Sequence, residues 1–348
     1  MKKRLSKYAF LSLLAAIAAA PCGAKPADFQ WKSSPPLIAP PQGGAVKYYG
    51  VKDPSVVYSD GRYHVFMTTA GENGWGLAYT SFRDWSEAPS APIVPLDKSP
   101  MGPGYRAAPQ VFYFVPQKLW YLVYQGGDPM YSTSSNIDDP LSWSAPKPFF
   151  GVVPDVVKTP AGNPAWLDFW VICDDRTCYL FFTNDGGTFF RAETDIGQFP
   201  AGFHNTTAVM AEARDDLFEA GNTYKVAGTD GYITLVEAVG PKGRYFRVWK
   251  SDRLDGKWTP LGGGKNVFAG SNNVRFDGKA WSEGVSHGEM LRAGFDQTLT
   301  IDPCQPLRYL YQGLDPDGKV DDYIKLPYRL GIITAQGPNP VSAMCRKP

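Results

Sequence analysis

A strand-pair unit recurs five times along this 348-residue chain, and at three of the recurrences a carboxylic acid stands where the unit begins. The first copy reads Lys52-Asp53-Pro54-Ser55-Val56-Val57-Tyr58, a turn over Ser59-Asp60-Gly61-Arg62, then Tyr63-His64-Val65-Phe66-Met67. Asp-Gly between two runs of β-branched and aromatic residues is a hairpin signal, because the turn must adopt positive φ. The later copies start at Ala108, Asp168, Glu219 and His287. Their spacing is roughly 50 to 70 residues, near the roughly forty expected of a four-stranded blade with generous loops. Behind the inner pairs lies a second signature of strand, polar turn and Trp-Ser/Thr, at Ala78 to Ser86, Tyr131 to Ser144 and Trp249 to Thr259. No stretch sustains a 3.6-residue apolar period, which argues against α/β folds and coiled coils. The pattern predicts an all-β fold, a five-bladed β-propeller with four-stranded antiparallel blades around a central channel.

The repeats occupy almost all of the chain, so residues 46–348 are read as a single catalytic-size domain rather than two. Residues 25–45, rich in Pro, Ser and Gly, are read as a leader strapped over its surface. The basic start Met1-Lys2-Lys3-Arg4 and the short apolar run from Tyr8 to Ala20 mark residues 1–24 as a secretory signal cleaved near Ala24. Lipidation of Cys22 is the alternative, with Pro21 a poor neighbour for it. A secreted chain, with no membrane segment in its mature form, then retains four cysteines. Cys173 and Cys178 flank a turn and would face each other on a hairpin, leaving Cys304 for Cys345; four free buried thiols is the competing reading. A net charge of +1 with both signs interspersed leaves no footprint for nucleic acid. A neutral partner and a monomeric state fit better, and 14% aromatic residues supply flat platforms for sugar rings as well as core.

If the inner strands line the channel with their starts at one mouth, Asp53, Asp168 and Glu219 face one small volume. Three carboxyls cannot all ionise there comfortably, so at least one pKa must rise, which separates an acid from a base. Glu219, between Phe218 and Ala220, has the most apolar neighbourhood and is the candidate general acid. Asp53, beside Lys52, should stay ionised and suits the general base, leaving Asp168 to orient substrate and modulate Glu219. His287 at the fifth start is read as a packed histidine, a substrate contact or part of a cation site. Arg247 and Tyr323 reach the substrate or serve an ion pair and the core. Gly284-Val285-Ser286-His287-Gly288 matches the pattern of serine hydrolases, but no helix is expected after it and no later histidine exists.

Lys52-Asp-Pro-Ser, Gly104-Tyr-Arg-Ala-Ala-Pro-Gln-Val-Phe-Tyr-Phe, Trp120-Tyr-Leu-Val-Tyr-Gln, Asp168-Phe-Trp-Val-Ile-Cys-Asp-Asp, Leu217-Phe-Glu-Ala, Ser286-His-Gly-Glu-Met and Leu310-Tyr-Gln-Gly-Leu-Asp-Pro occur in this order. Together they resemble glycoside hydrolase family 62, over residues 46 to 336. The resemblance implies a five-bladed propeller α-L-arabinofuranosidase that removes single arabinofuranosyl side chains from arabinoxylan and arabinoxylo-oligosaccharides with inversion. It implies Asp53 as general base, Glu219 as general acid and Asp168 as the acid that tunes it. It further implies that Lys52, Arg247 and Tyr323 hold the arabinose, and that His287 contacts a structural calcium on the axis. Two departures fall in the cleft: Tyr328 stands where a Trp is expected in Leu-Pro-Trp, and Thr183-Asn184-Asp185 where another acid is common. An endo-arabinanase, a β-xylosidase or a non-catalytic sugar-binding propeller are the competing functions.

Overall fold

The computed structural model describes residues 28–346, so the expected signal segment and Cys22 lie outside the described residues. Five sheets form a ring, a five-bladed β-propeller. Blade I comprises Tyr48–Ser59, Arg62–Gly71, Gly74–Phe82 and Val94–Pro95, and blade II Ala107–Phe114, Leu119–Gly126, Asp128–Ser134 and Lys147–Pro148. Blade III comprises Leu167–Cys173, Thr177–Thr183, Thr188–Asp195 and His204–Ala211. Blade IV runs through Glu219–Val226, Tyr232–Gly240, Gly243–Ser251 and Thr259–Pro260, with Thr300–Ile301 added in parallel beside its first strand. The first strand of each blade is the innermost and packs against the first strands of its neighbours. Among the described residues the helical elements are short 3-10 turns.

The fifth blade closes the ring with both ends of the chain. Its first three strands are Ser286–Met290, Arg308–Leu314 and Tyr328–Ala335, and its next is Trp31–Ser33, antiparallel with Trp31 opposite Ala335. This part of the expected surface leader is therefore a blade strand. Its alternation explains the docking: Trp31 and Ser33 are buried while Lys32 between them is exposed. Trp31 donates from Nε1 to the Phe268 carbonyl at 2.6 Å and stands edge-on to the Phe268 ring at 4.7 Å. The Trp-Ser/Thr signatures fill gaps between blades, with Trp143 of blade II edge-on to Phe66 of blade I and Trp258 of blade IV edge-on to Phe181 of blade III. Both disulfides, Cys173–Cys178 across a hairpin and Cys304–Cys345 at the C-terminus, have the pairing expected from the sequence.

One irregularity is repeated in every blade and decides where side chains point. Each inner strand carries a one-residue β-bulge at its start, between Lys52 and Ser55, Ala107 and Gln110, Leu167 and Trp170, Glu219 and Asn222, and Ser286 and Gly288. In four blades the bulge contains a non-glycine residue in the left-handed region: Asp53, Ala108, Asp168 and Ala220, with φ of 46°, 50°, 56° and 56°. Such conformations cost about 1–3 kcal/mol each and persist only where surroundings over-determine them. Register thus makes Ala220, not Glu219, the equivalent of Asp53 and Asp168. Glu219 instead matches Lys52, one residue earlier.

A bulge removes an N–H from the ladder, and a buried N–H needs another acceptor. Asp53 N–H donates to Gln312 Oε1 (2.8 Å), Ala108 to Thr68 Oγ1 (2.9 Å), Asp168 to Gln125 Oε1 (3.1 Å) and His287 to Glu237 Oε2 (2.7 Å). Each acceptor sits on the second strand of the preceding blade, opposite that blade's own start. The fifth position breaks the pattern. Thr183 is the equivalent side chain, but its hydroxyl has no partner, and Asp168 Oδ2 takes the Ala220 N–H at 2.9 Å. One carboxylate of the expected trio is therefore fastened to the residue that follows Glu219.

Candidate active site

The bulges bring Asp53 from blade I, Asp168 from blade III and His287 from blade V together at one mouth of the channel. The His287 Nδ1 lies 3.4 Å from Asp53 Oδ1 and 3.9 Å from Asp168 Oδ2. Both aspartates are more than nine-tenths buried, and the Glu219 side chain keeps 17% of its surface exposed. At the equivalent position blade II carries Ala108, which brings no functional side chain.

Burial raises the pKa of a carboxyl and nearby charges sort the members. Burial alone would push Asp53 up, but Lys52, His287 and hydrogen bonds from Thr68 and Ala108 outweigh it and hold the group below its ordinary value. Asp168 is pushed up to about 6 by burial, with His287 opposing and Asp53 adding to the rise. Glu219 is driven well above the ordinary range by burial first, then by Glu237 and Asp168, against the pull of Arg244. Asp185, in the departing Thr-Asn-Asp segment, contributes to raising both Asp168 and Glu219. The expected division between an ionised Asp53 and a protonated Glu219 therefore has a physical cause in the surroundings of each.

Lys52 projects into an aromatic box. Its Nζ donates to the Tyr323 hydroxyl at 2.8 Å and lies 4.9, 4.6 and 5.1 Å from the ring centres of Trp75, Tyr323 and Tyr328. Tyr328, the residue in place of the expected Trp, thus still covers the lysine. Asp53, Tyr323 and Tyr328 keep the ammonium charged against the cost of its burial. Beside Trp75 the same face opens into a cavity of about 290 Å³ whose walls include Tyr48, Asn73, Asp97 and Arg106.

Arg247 is not brought to this cluster. Its guanidinium is held by Glu212, the Asp216 carbonyl and Asn266, and it lies over Trp249. The arginine that reaches the acids is Arg244, whose Nη1 donates to Glu219 Oε1 at 2.7 Å and Glu237 Oε1 at 2.5 Å. The two arginines lie three positions apart on one strand. That is about 10 Å of rise and an odd number of positions, which changes both depth and face. Arg244, Glu237, Gln312 and Trp75 escape a reading of strand starts because they sit near the hairpin between second and third strands. In an antiparallel blade that hairpin returns to the same mouth, and this is the signal that would have found them.

For a calcium on the axis the donor set is thin. Calcium takes six to eight oxygen ligands, and no group of three His, Cys, Asp or Glu among the described residues is arranged to hold an ion. The inner-strand acid nearest His287 in sequence, Glu289, is already paired with Arg292 at 2.7 Å. Side chains of these types alone would leave most of a calcium shell to carbonyl oxygens and water, with His287 as the one candidate contact. Nor is Ser286 placed as a hydrolase nucleophile: it opens a strand, not a strand-to-helix turn, and donates its proton to Glu237.

Comparison with known proteins places these features in context. Residues 30–334 match the model described as Glycosyl hydrolase family 62. Alpha-L-arabinofuranosidase C of Cellvibrio japonicus (strain Ueda107) is 40% identical over 313 residues, which are 88% of this chain and 47% of that protein. The chain thus spans about half the length of that relative. The catalytic domain of a Coprinopsis cinerea α-L-arabinofuranosidase of the same family superposes with a TM-score of 0.86 at 48% identity, covering 90% of this chain and 99% of that one. The α-L-arabinofuranosidase of Podospora anserina, solved with cellotriose, gives 0.85 at 44% identity over 90% and 99% of the two chains. A family member solved with xylotriose gives 0.83 at 44% identity over 88% and 97%.

Proposed function

Since the chain belongs to glycosyl hydrolase family 62, we propose that it is an α-L-arabinofuranosidase that removes single arabinofuranosyl side chains from arabinoxylan by inverting hydrolysis. The observation that carries the proposal is the meeting of three carboxyls at one mouth, with His287 beside Asp53 and Asp168, Asp168 on the Ala220 N–H and Arg244 on Glu219; their surroundings lower the pKa of Asp53 and raise that of Glu219. Binding of oligosaccharides by relatives, xylotriose in one structure and cellotriose in another, supports a plant polysaccharide as the partner.

In this reading Asp53 takes a proton from a water as its oxygen attacks the anomeric carbon. Glu219 gives its proton to the departing xylan oxygen as the glycosidic bond breaks. The products are a free arabinose of inverted configuration and a xylan hydroxyl, and solvent returns the proton from Asp53 to Glu219. Arg244, already against Glu219, stabilises the carboxylate that the acid becomes. Asp168 holds the Ala220 N–H and so the backbone beside the acid. Lys52 and Tyr323 would hold the arabinose, with Trp75 and the neighbouring cavity available to the main chain. Two disulfides support secretion into an oxidising compartment.

The direct test is product analysis on arabinoxylan, linear arabinan and xylo-oligosaccharides, with the first-formed anomer followed by NMR. Arabinose alone, from arabinoxylan and with inverted configuration, is expected. Retained configuration would reject the water-attack step, and xylose or arabino-oligosaccharide products would reject the substrate.

The pH dependence follows from the two shifts. Activity needs Asp53 ionised, a state lost only as pH falls through a pKa held below the ordinary aspartate value of about 3.9. It also needs Glu219 protonated, a state lost as pH rises through a pKa raised well above the ordinary glutamate value of about 4.3. A plot of kcat/KM against pH is expected to be a broad bell whose limbs lie outside these two values on either side. An alkaline limb between about 4 and 5 would mean that the acid is a group with an unshifted pKa.

A further inference from the structure

An unbroken chain of hydrogen bonds joins the Glu219 carboxyl to the backbone N–H of Asp53, and Glu237 is its hub. The Asp53 N–H donates to Gln312 Oε1 at 2.8 Å. Gln312 Nε2 donates to Ser286 Oγ at 3.0 Å, and the Ser286 hydroxyl donates to Glu237 Oε2 at 2.9 Å. The same oxygen accepts the His287 N–H at 2.7 Å. Glu237 Oε1 accepts from Arg244 Nη1, which also donates to Glu219 Oε1.

The direction of each bond is fixed by chemistry. A backbone N–H can only donate, so Gln312 must present its oxygen to Asp53 and its amino group to Ser286. Ser286 accepts that bond and has its own proton left for the carboxylate. Glu237 is fully buried and Gln312 and Ser286 nearly so, which keeps water from competing for any link. A carboxyl taken this far from solvent is costly unless paired and hydrogen-bonded, and the donors that hold Glu237 are Arg244, which also holds the acid, and Ser286 and His287 of blade V.

We infer that Glu237 is a positioning residue. It holds Arg244 against Glu219 and, through Ser286 and Gln312, ties that pair to the backbone of Asp53, so that acid and base move as one unit. The inference rests on the arabinofuranosidase reading and adds to it a group that touches neither substrate nor reacting atoms. It also explains why Glu219 occupies the register position before the bulge: only there does the acid face the second-strand residue of its own blade, with Glu219 opposite Glu237.

Glu237→Gln keeps the shape of the side chain but replaces one acceptor by a donor, which must then oppose either Arg244 or the Ser286 and His287 donors. Acid catalysis should suffer most. On arabinoxylan, whose leaving oxygen needs a proton, kcat is expected to fall about 10- to 100-fold with KM nearly unchanged, the range of a partly lost general acid. On a dinitrophenyl α-L-arabinofuranoside, whose leaving group departs without one, the loss should be smaller than about 3-fold. Ser286→Ala, which cuts the link to Gln312 and leaves Arg244 in place, should show the same asymmetry more weakly and serves if the first variant does not fold. Equal losses on both substrates, or none on either, would overturn the positioning role. A wild-type chain inactive on both would instead overturn the arabinofuranosidase reading beneath it.

Discussion

Glu219→Gln is expected to lower kcat on arabinoxylan by roughly 10²–10⁴-fold, the usual contribution of a positioned general acid. The amide is isosteric but has no proton acidic enough to give to a sugar oxygen. The fold should survive, because the side chain lies at the mouth, partly exposed, and Arg244 retains Glu237 as a partner. The loss should be confined to poor leaving groups, with an activated aryl arabinofuranoside losing far less. Side-by-side kinetics on the two substrates, with circular dichroism to verify folding, provide the measurement. Arabinoxylan turnover within 10-fold of wild type would remove Glu219 from the role of acid.

The second large effect concerns stability. Trp31→Ala is expected to cost about 3–5 kcal/mol, the range for truncating a large buried aromatic. Trp31 is fully buried, packs on Phe268 and satisfies the Phe268 carbonyl. Its loss leaves a cavity beneath the strand that closes blade V and removes one of the two donors to the Phe268 carbonyl, Asn273 Nδ2 remaining at 2.9 Å. Chemical denaturation should show the unfolding midpoint displaced to lower urea. Lys32→Ala, on the outward face of the same strand and paired only with the exposed Asp277, should shift it little. Comparable shifts in the two variants would show that the strand contributes no more than surface pairing. Blade V carries His287 and Gln312, so the Trp31 variant should also lose activity before global unfolding.

The architecture was largely legible in the chain because propeller blades are assembled from local signals. The β-branched and aromatic run Val56 to Tyr58, the Asp60-Gly61 turn and the Trp-Ser starts each act over a few residues, and their recurrence discloses the ring. The same locality misreads Trp31-Lys32-Ser33. Three alternating residues in a Pro-rich stretch are too short to stand out as a strand, and their partner lies about three hundred positions away at Ile333 to Ala335. Within the site, Asp53, Asp168 and His287 are found by position, whereas Glu219 is found by residue type with its register off by one. Arg247 is named from the sequence and Arg244 is not, because strand composition does not reveal how far along the strand the mouth lies.

What the sequence determined by itself is a ring of β-blades with acids and a histidine at strand starts, since periodicity and turn chemistry are properties of neighbouring residues. Which side chains face one another was decided by the tertiary structure alone. A one-residue bulge reverses the parity of a strand, and the side chains that satisfy its freed N–H come from the preceding blade, as far away as Gln312 is from Asp53. The chain from Glu237 through Ser286 and Gln312 to Asp53 depends on that closure, since it passes from blade IV through blade V to blade I. It exists only when the fifth blade has met the first, because only a closed ring fixes the depth and facing of every strand at once.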